Sequence, residues 1–348
     1  MFTNKRICIC GGGGLGHTCA AVLSSHPEIE VMMYTQHPEK WQQQFIVDDP
    51  NGKQYHGHLT TISNDPSLVI TTADIILLCL PAFLVEQTLQ TIKPYLSTKA
   101  IIGSVVGNTG FFLFAHKVLE NTNTGLFAFQ RVPYISRVIE YGKRAALLGY
   151  KNELHIAVEN ISEPQEFSNE ISALFCTKTQ LVDSFYEVTL SNSNPILHTG
   201  RLYTMWKDWA GESYPEKSLF YYDWTDETSE LLIKMDQEFF QLLQVLGVST
   251  VHLPTLLQHY EVSNANELTN KIKNIPSFAT IQSPMKEKEG RWIPDFTSRY
   301  FTEDFPFGLQ FIYNLARKYN LSTPNIDKVY HWGMSKIKNE QLHTNHYG

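Results

Sequence analysis

The sequence lacks the features that mark several large classes of protein. Cysteine is scarce: Cys8, Cys10, Cys19, Cys79 and Cys176 are the only five among 348 residues. Their number is odd and their spacing fits no zinc pattern, which excludes a disulfide framework and a zinc module. Cys8 and Cys10 share one face of an expected strand, a poor place for a disulfide. All five read as reduced, mostly buried thiols of a cytoplasmic protein. A basic excess is also missing. The formal net charge is -7, whereas a general nucleic-acid binder carries a basic surplus. No basic amphipathic stretch points to a membrane surface. The most apolar segment, 73–85, contains Asp74 and Pro81 and is too short and interrupted to span a bilayer. Lys5 and Arg6 precede only four apolar residues before the first glycine, too few for the core of a signal peptide.

What is present suits an ordinary globular protein. Hydrophobic residues make up 43% and charged residues 18%, and the length suffices for two domains. In the first half, short apolar runs alternate with helical ones. "RICICG", "IEVMMYT", "ADIILLCLP", "KAIIGSVVG", "GLFAFQRVP", "RAALLGY" and "ELHIAVE" read as strands. "GHTCAAVLSSH", "AFLVEQTLQTIKPYL" and "FFLFAHKVLEN" read as helices. This alternation predicts a parallel sheet covered on both faces. The second half has sparse strand signals. "TSELLIKMDQEFFQLLQVLG", "NANELTNKIKNI" and "PFGLQFIYNLARKYN" have helical periodicity, the first ending at Gly247. The expected fold class is α/β: a Rossmann-type dinucleotide-binding domain, 1–185, followed by an all-helical domain, 186–348.

The glycines near the start carry chemistry. "KRICICGGGGLGHTCAAVL" places Gly11-x-Gly13-x-x-Gly16 between a strand and a helix, the context of a dinucleotide fingerprint. Gly11 permits the tight turn, Gly13 lets backbone approach a pyrophosphate, and Gly16 lets the helix pack close to the sheet. The helix N-terminus then offers N–H groups to phosphate. Gly12 and Gly14 add slack, and Gly14 is counted with the cofactor loop. A bare turn or an S-adenosylmethionine loop is the alternative at this level.

At the end of the second strand, where NAD enzymes place an acidic residue, the chain has Thr35, Gln36 and His37, with Lys40 nearby. This leans towards NADP over NAD, with Thr35 as the ribose-side contact, although Glu39 is also near. "CLPAF" (79–83) and "GNTGF" (107–111) close two strands at the carboxyl edge of the sheet, where ligands of such sheets bind. Of 13 histidines, His198 in "SNSNPILHTGRL" stands out. It is a proton-transfer candidate, with a helix-face or capping histidine as the bland alternative. Arg299 stands five residues before Asp304 in "SRYFTEDFPFGLQFIYNLARKYNLSTPNID"; an Arg beside acids is ordinarily a surface ion pair. His56, His58, His343 and His346 lack a clear third ligand and read as loop or tail histidines, so no metal is expected.

These residues resemble the octopine/nopaline (opine) dehydrogenase family over nearly the whole chain. The resemblance rests on "GGGGLG", "RVPYISR" followed by "GKRAALLG", "NPILHTG", and above all "RYFTEDFPFGL" with its downstream "TPNID". It implies a Rossmann domain followed by an all-helical domain, with the substrate site in the cleft between them. It implies condensation of an amino acid amine with a 2-oxo acid such as pyruvate, the imine being reduced by hydride from NADH or NADPH. It also implies a catalytic pair, His198 with Asp304, and an Arg299 that contacts the cofactor's phosphates. The chain departs from the family where relatives have a Gln, here Asn108. It departs again where they have a small hydroxyl residue before "LP", here Arg131 before "VP". Arg131 would clamp an additional carboxylate, which puts plain pyruvate specificity in doubt. Tyr134 and Ser136 fall where the amino-acid site is expected. The expected partners are small molecules, not nucleic acid or membrane, and a homodimer is left open. Two rival functions stay open: a 2-oxo acid/2-hydroxy acid dehydrogenase that needs no amine, and a non-catalytic dinucleotide-binding sensor.

Overall fold

The computed structural model describes residues 4–120 and 122–345. His346 lies outside them, as does the side chain of His343. The chain divides into two compact units, Met1–Ser191 and Asn192–Gly348, so the break falls a few residues beyond the expected 185.

The first unit contains strands β1 (Lys5–Cys10), β2 (Ile29–Tyr34), β3 (Gln44–Asp48), β4 (Gln54–His58), β5 (Thr61–Ser63), β6 (Ile75–Leu78), β7 (Ile101–Ser104), β8 (Gly125–Phe129), β9 (Tyr134–Glu140), β10 (Arg144–Tyr150), β11 (Glu153–Glu159) and β12 (Lys178–Leu181). Its helices are α1 (Gly14–Ser24), α2 (Pro66–Val69), α3 (Ala82–Ile92), α4 (Phe111–Val118), α5 (Pro164–Leu174) and α6 (Phe185–Thr189). The main sheet has the order β12-β11-β8-β7-β6-β1-β2-β5. From β5 to β8 all pairs are parallel, with β1 between β2 and β6. The pairing of β8 with β11 is antiparallel. The reversal has a simple cause. Helices stop separating the strands after β8, and a parallel pair needs a long crossover.

Alternation along the central strands sends side chains to two cores. Ile7 and Ile9 of β1 join α1, α5 and a second sheet on one face. Cys8 and Cys10 join α2, α3, α4 and α6 on the other. Burial raises the Cys8 thiol well above its usual range, in keeping with an inert, reduced packing residue. The second sheet, β4-β3-β10-β9, is a feature the sequence reading missed. His56 and His58 are exposed positions of its strand β4 rather than loop residues.

The second unit contains helices α7 (Asn194–Trp206), α8 (Asp226–Val245), α9 (Leu256–Tyr260) and α10 (Ala265–Lys273), then strands β13 (Met285–Lys288) and β14 (Arg291–Pro294). These are followed by α11 (Arg299–Thr302), a π-helical turn over Phe305–Leu309, α12 (Gln310–Lys318) and α13 (Pro324–Asn345). The β13–β14 hairpin is a small addition to this helical unit; Glu289 and Gly290 take positive φ at its turn. Helix α8 is the axis of this unit. Thr225 caps it by accepting from Thr228 N–H, with Asp226 and Glu227 in its first turn. Leu231, Leu232, Met235, Phe239, Leu242 and Leu243 form its buried stripe. Its Glu238 carboxylate accepts from the backbone N–H groups of Asn325 and Ile326 at 3.0 and 2.9 Å, capping α13 from a neighbouring helix. No described helix is long and apolar enough to cross a membrane.

One buried group on α8 makes stability depend on pH. Asp236 accepts from Leu256 N–H at 2.9 Å, yet burial raises its pKa from 3.8 to about 6. Between those values the folded chain keeps a proton that the unfolded chain has released. Stability therefore falls as pH rises through the window, and the loss persists above it. Asp236→Asn keeps an acceptor for Leu256. At pH 8 urea unfolding should show the variant more stable by about 1–3 kcal/mol, with the difference gone below pH ~4. Equal stability at pH 8 would contradict this.

Candidate active site

The first unit's glycine loop sits at the carboxyl ends of β1, β2 and β6. Gly11 has φ 119°, a conformation open to glycine, and a Cβ there would lie 2.5 Å from the Cys79 carbonyl oxygen. A Cβ on Gly16 would strike the Gly11 carbonyl, so this glycine lets α1 start hard against the turn. Gly13 has open space where a Cβ would go and is the N-cap of α1. Gly14 does more than add slack: a Cβ on it would come within 3.1 Å of the Ser136 backbone, so β9 lies directly over the helix start. A cavity of about 390 Å³ opens beside the loop, lined by Gly11, Gly12, Gly13, Thr35, Gln36 and Tyr141 among others. Open backbone at Gly13, a helix N-terminus and a crevice at the strand ends together fit a dinucleotide.

His198 and Asp304 meet in the second unit. Pro195 sits in the first turn of α7, where its missing N–H costs no intrahelical bond, and His198 follows three residues on. Its Nδ1 lies 2.8 Å from Asp304 Oδ2 and its Nε2 lies 3.0 Å from the Tyr221 hydroxyl. The side chains are 12% and 17% exposed. An ionised carboxylate only accepts, so Nδ1–H donates to Asp304 and Nε2 is left to accept from Tyr221. Burial lifts the Tyr221 phenol above its ordinary range, so it keeps its proton. The ring of Tyr300 packs on the imidazole at 4.8 Å and Phe220 meets it edge-on at 5.7 Å. With Nδ1 held, Nε2 is the nitrogen able to take up or hand over a proton.

Each member is fixed by its surroundings. Arg201, 3% exposed, donates through Nε to the Phe220 carbonyl and through a terminal nitrogen to the Asp223 carbonyl, both at 2.9 Å. It thereby pins the turn that carries Tyr221. Burial pulls the Arg201 pKa down to about 10, which leaves it charged at neutral pH. Asp304 enters from the π-helical turn, which rests on α7 at Gly308. A Cβ on Gly308 would lie 2.6 Å from Pro195 Cγ. Gly333 of α13 likewise makes room for the Phe305 ring. Tyr221 and Arg201 escaped the sequence reading. The available signal was the aromatic run "SLFYYDW", which reads as core.

The remaining expected site residues scatter. Thr35 is at the end of β2, its hydroxyl 3.1 Å from the Tyr141 hydroxyl. Asn108 sits in the short turn after β7. Arg131 follows β8 and donates to the Ser191 carbonyl at 3.1 Å. Ser136 lies on β9, its hydroxyl buried without a hydrogen-bond partner. Tyr134 is a correction: it is 1% exposed, its hydroxyl is spent on the Phe175 carbonyl at 2.6 Å, and it packs between Tyr150 and Phe175. A side chain so enclosed is core rather than substrate-binding. Arg299 forks onto Glu303 at 2.9 and 2.8 Å, not onto Asp304, and its side chain is 82% exposed. Trp206 and Trp224 are each 2% exposed and belong to the core.

Comparison with known proteins agrees with the two-unit layout. Residues 181–337 match the family model described as NAD/NADP octopine/nopaline dehydrogenase, alpha-helical domain. Residues 7–106 match that of ketopantoate reductase PanE/ApbA. The chain is 27% identical to tauropine dehydrogenase of Arabella iricolor, covering 96% of this chain and 92% of the relative. It is 25% identical to octopine dehydrogenase of Pecten maximus, covering 97% and 91%. A solved octopine dehydrogenase with NADH and L-arginine superposes with a TM-score of 0.84 at 24% identity, covering 96% of this chain and 90% of that one. The fold is that of these enzymes, and the resemblance to the octopine/nopaline dehydrogenase family holds over nearly the whole chain.

The seating of the π-helical turn on Pro195 yields a test. Gly308→Ala should force the turn off α7, costing about 1–3 kcal/mol in unfolding experiments and lowering turnover by about tenfold or more through a displaced Asp304. Wild-type stability and turnover in the variant would show that the turn does not depend on this contact.

Proposed function

We propose that this chain is an NAD(P)H-dependent opine dehydrogenase, an oxidoreductase that joins the amine of an amino acid to a 2-oxo acid and reduces the resulting C=N bond. The observation that carries the reading is the His198–Asp304 pair, enclosed by aromatic rings within the segment that matches the octopine/nopaline dehydrogenase domain.

The reduced nicotinamide, when bound, supplies the hydride. The glycine loop supports a role in holding its pyrophosphate through Gly11, Gly13, Gly14 and Gly16, with Thr35 on the ribose side. The β2 end, Thr35 to His37, has no carboxylate, which favours NADPH over NADH. Arg299 is assigned to the cofactor's phosphates; its fork geometry suits them, and release from an exposed pair with Glu303 costs little.

The chemistry at His198 follows from its tautomer. Asp304 accepts from Nδ1–H, which fixes the ring and leaves Nε2 as the exchanging nitrogen. A protonated Nε2 donates to the oxygen of the 2-oxo acid and makes its carbonyl carbon more electrophilic towards the amine. Nε2 passes this proton to the carbonyl oxygen as the amine adds, recovers a proton from the amine nitrogen, and returns it to the resulting hydroxyl, which leaves as water when the C=N bond forms. Tyr221 occupies Nε2 here and must yield it, or pass the proton on, when substrate arrives. Asn108, Arg131 and Ser136 are assigned to substrate; Arg131 favours an oxo acid or amino acid with an extra carboxylate. In this reading the partners are small molecules, and the compartment is the cytoplasm.

The test is oxidation of NADPH and NADH with 2-oxo acids, each with and without a pool of amino acids. Turnover should require the amine, and His198→Ala should lose at least about a hundredfold in kcat while cofactor affinity stays unchanged. Turnover with the oxo acid alone would instead make the protein a 2-hydroxy acid dehydrogenase. Near-wild-type turnover of the variant would remove His198 from the mechanism.

A further inference from the structure

The glycine loop has a conformational problem of its own. Four successive glycines, Gly11 to Gly14, leave the backbone with more freedom than any other sequence would. The N-cap of α1 is itself a glycine and makes no side-chain cap. Something outside the loop must hold it if its N–H groups are to meet a phosphate in one arrangement.

His17 does this from the second turn of α1. It is fully buried, and both ring nitrogens are engaged. Nδ1 lies 2.9 Å from the Gly13 carbonyl oxygen. Nε2 accepts from the Gly142 backbone N–H at 2.8 Å. A backbone N–H can only donate, so Nε2 carries the lone pair and Nδ1 the proton. The imidazole is therefore neutral, and burial favours that form. The ring is stacked on Trp41 at 4.1 Å, and Phe45 and Tyr141 meet it edge-on. Gly142, with φ 73°, brings the β9–β10 turn so close to Lys40 and Trp41 that a Cβ would collide with their backbone. In the same turn Tyr141 places its hydroxyl over Gly12, where a Cβ would strike it.

The Gly13 carbonyl and the Gly14 N–H belong to one planar peptide group and point in opposite directions. Fixing the carbonyl inward fixes that N–H outward, at the first turn of a helix whose leading N–H groups have no intrahelical acceptor. We propose that His17 is a positioning residue for the cofactor: a neutral imidazole strut, braced by the second sheet through Gly142, that orients the Gly13–Gly14 peptide towards the pyrophosphate. The inference rests on the dinucleotide reading of this loop.

The test compares His17→Phe, which keeps a ring on Trp41 but removes both hydrogen bonds, with His17→Gln, which retains a donor and an acceptor. Binding of NADPH, NADH, ADP and adenosine to the full chain is measured by titration. The Phe variant should bind NAD(P)H and ADP about tenfold or more weakly, with adenosine affinity changed less than about threefold. The Gln variant should recover part of the loss, and kcat at saturating cofactor should change little. Equal losses for ADP and adenosine, or no loss, would overturn the strut. The wild-type protein gives a second readout should the Phe variant not fold: the ¹⁵N spectrum of His17 should show a neutral ring protonated on Nδ1. A charged ring or the Nε2–H tautomer would overturn the proposal. Wild-type protein that binds neither NAD(P)H nor ADP, yet shows this tautomer, would sink the dinucleotide reading and keep the strut as a fold element.

Discussion

A single hydrogen bond organises the second unit: His198 Nδ1 to Asp304 Oδ2, joining residues 106 positions apart in sequence. Such a bond forms only if two elements are brought to a fixed spacing. Helix α7 supplies one side, with Pro195 in its first turn and Arg201 on its buried face. The π-helical turn supplies the other, and two glycines let it approach: Gly308 over Pro195 and Gly333 under the Phe305 ring. The pair is nearly buried, which strengthens its mutual attraction. Burial also makes either partner alone costly to keep. The surrounding aromatic residues therefore serve one purpose: they hold the imidazole in a dry place with one nitrogen committed and one available.

The first unit solves a related problem in a different way. There the active element is backbone, and glycine is needed because side chains would block it. The freedom this introduces is removed by groups distant in sequence. Tyr141 of the β9–β10 turn, the Ser136 backbone and the His17 ring all press on the loop, and Gly142 holds the ring. The small second sheet thus supports the glycine loop rather than standing as an appendage. In both units an imidazole is directed by a specific partner: a carboxylate for His198 and a backbone carbonyl for His17.

Legibility in the sequence followed the strength of local patterning. The continuous apolar run 75–80 read as a central strand, and the strand–glycine–helix order around Gly11 exposed the loop. The stripe of α8 and its stop at Gly247 were equally plain. Strands β3 and β4 were not, because "QFIVD" and "QYHGH" carry polar residues on an exposed face and little hydrophobic contrast. The β13–β14 hairpin was hidden by its charged "MKEK" strand and Glu–Gly turn. The meeting of His198 with Asp304 was legible through the motifs that carry the resemblance. Tyr221 and Arg201 were not, because no pattern of spacing says which buried tyrosine meets which histidine. Tyr134 misled for the same reason: its motif position pointed to substrate, while its hydroxyl is spent on Phe175.

The central claim is that Asp304 acts through His198 rather than beside it. A double-mutant cycle on kcat tests this most directly, using Asp304→Asn, His198→Ala and the two combined. If the carboxylate works only by holding the imidazole, the double variant will turn over no more slowly than His198→Ala alone. Losses that multiply, with the double variant slower by the product of the two single effects, would contradict the account and give Asp304 an independent role.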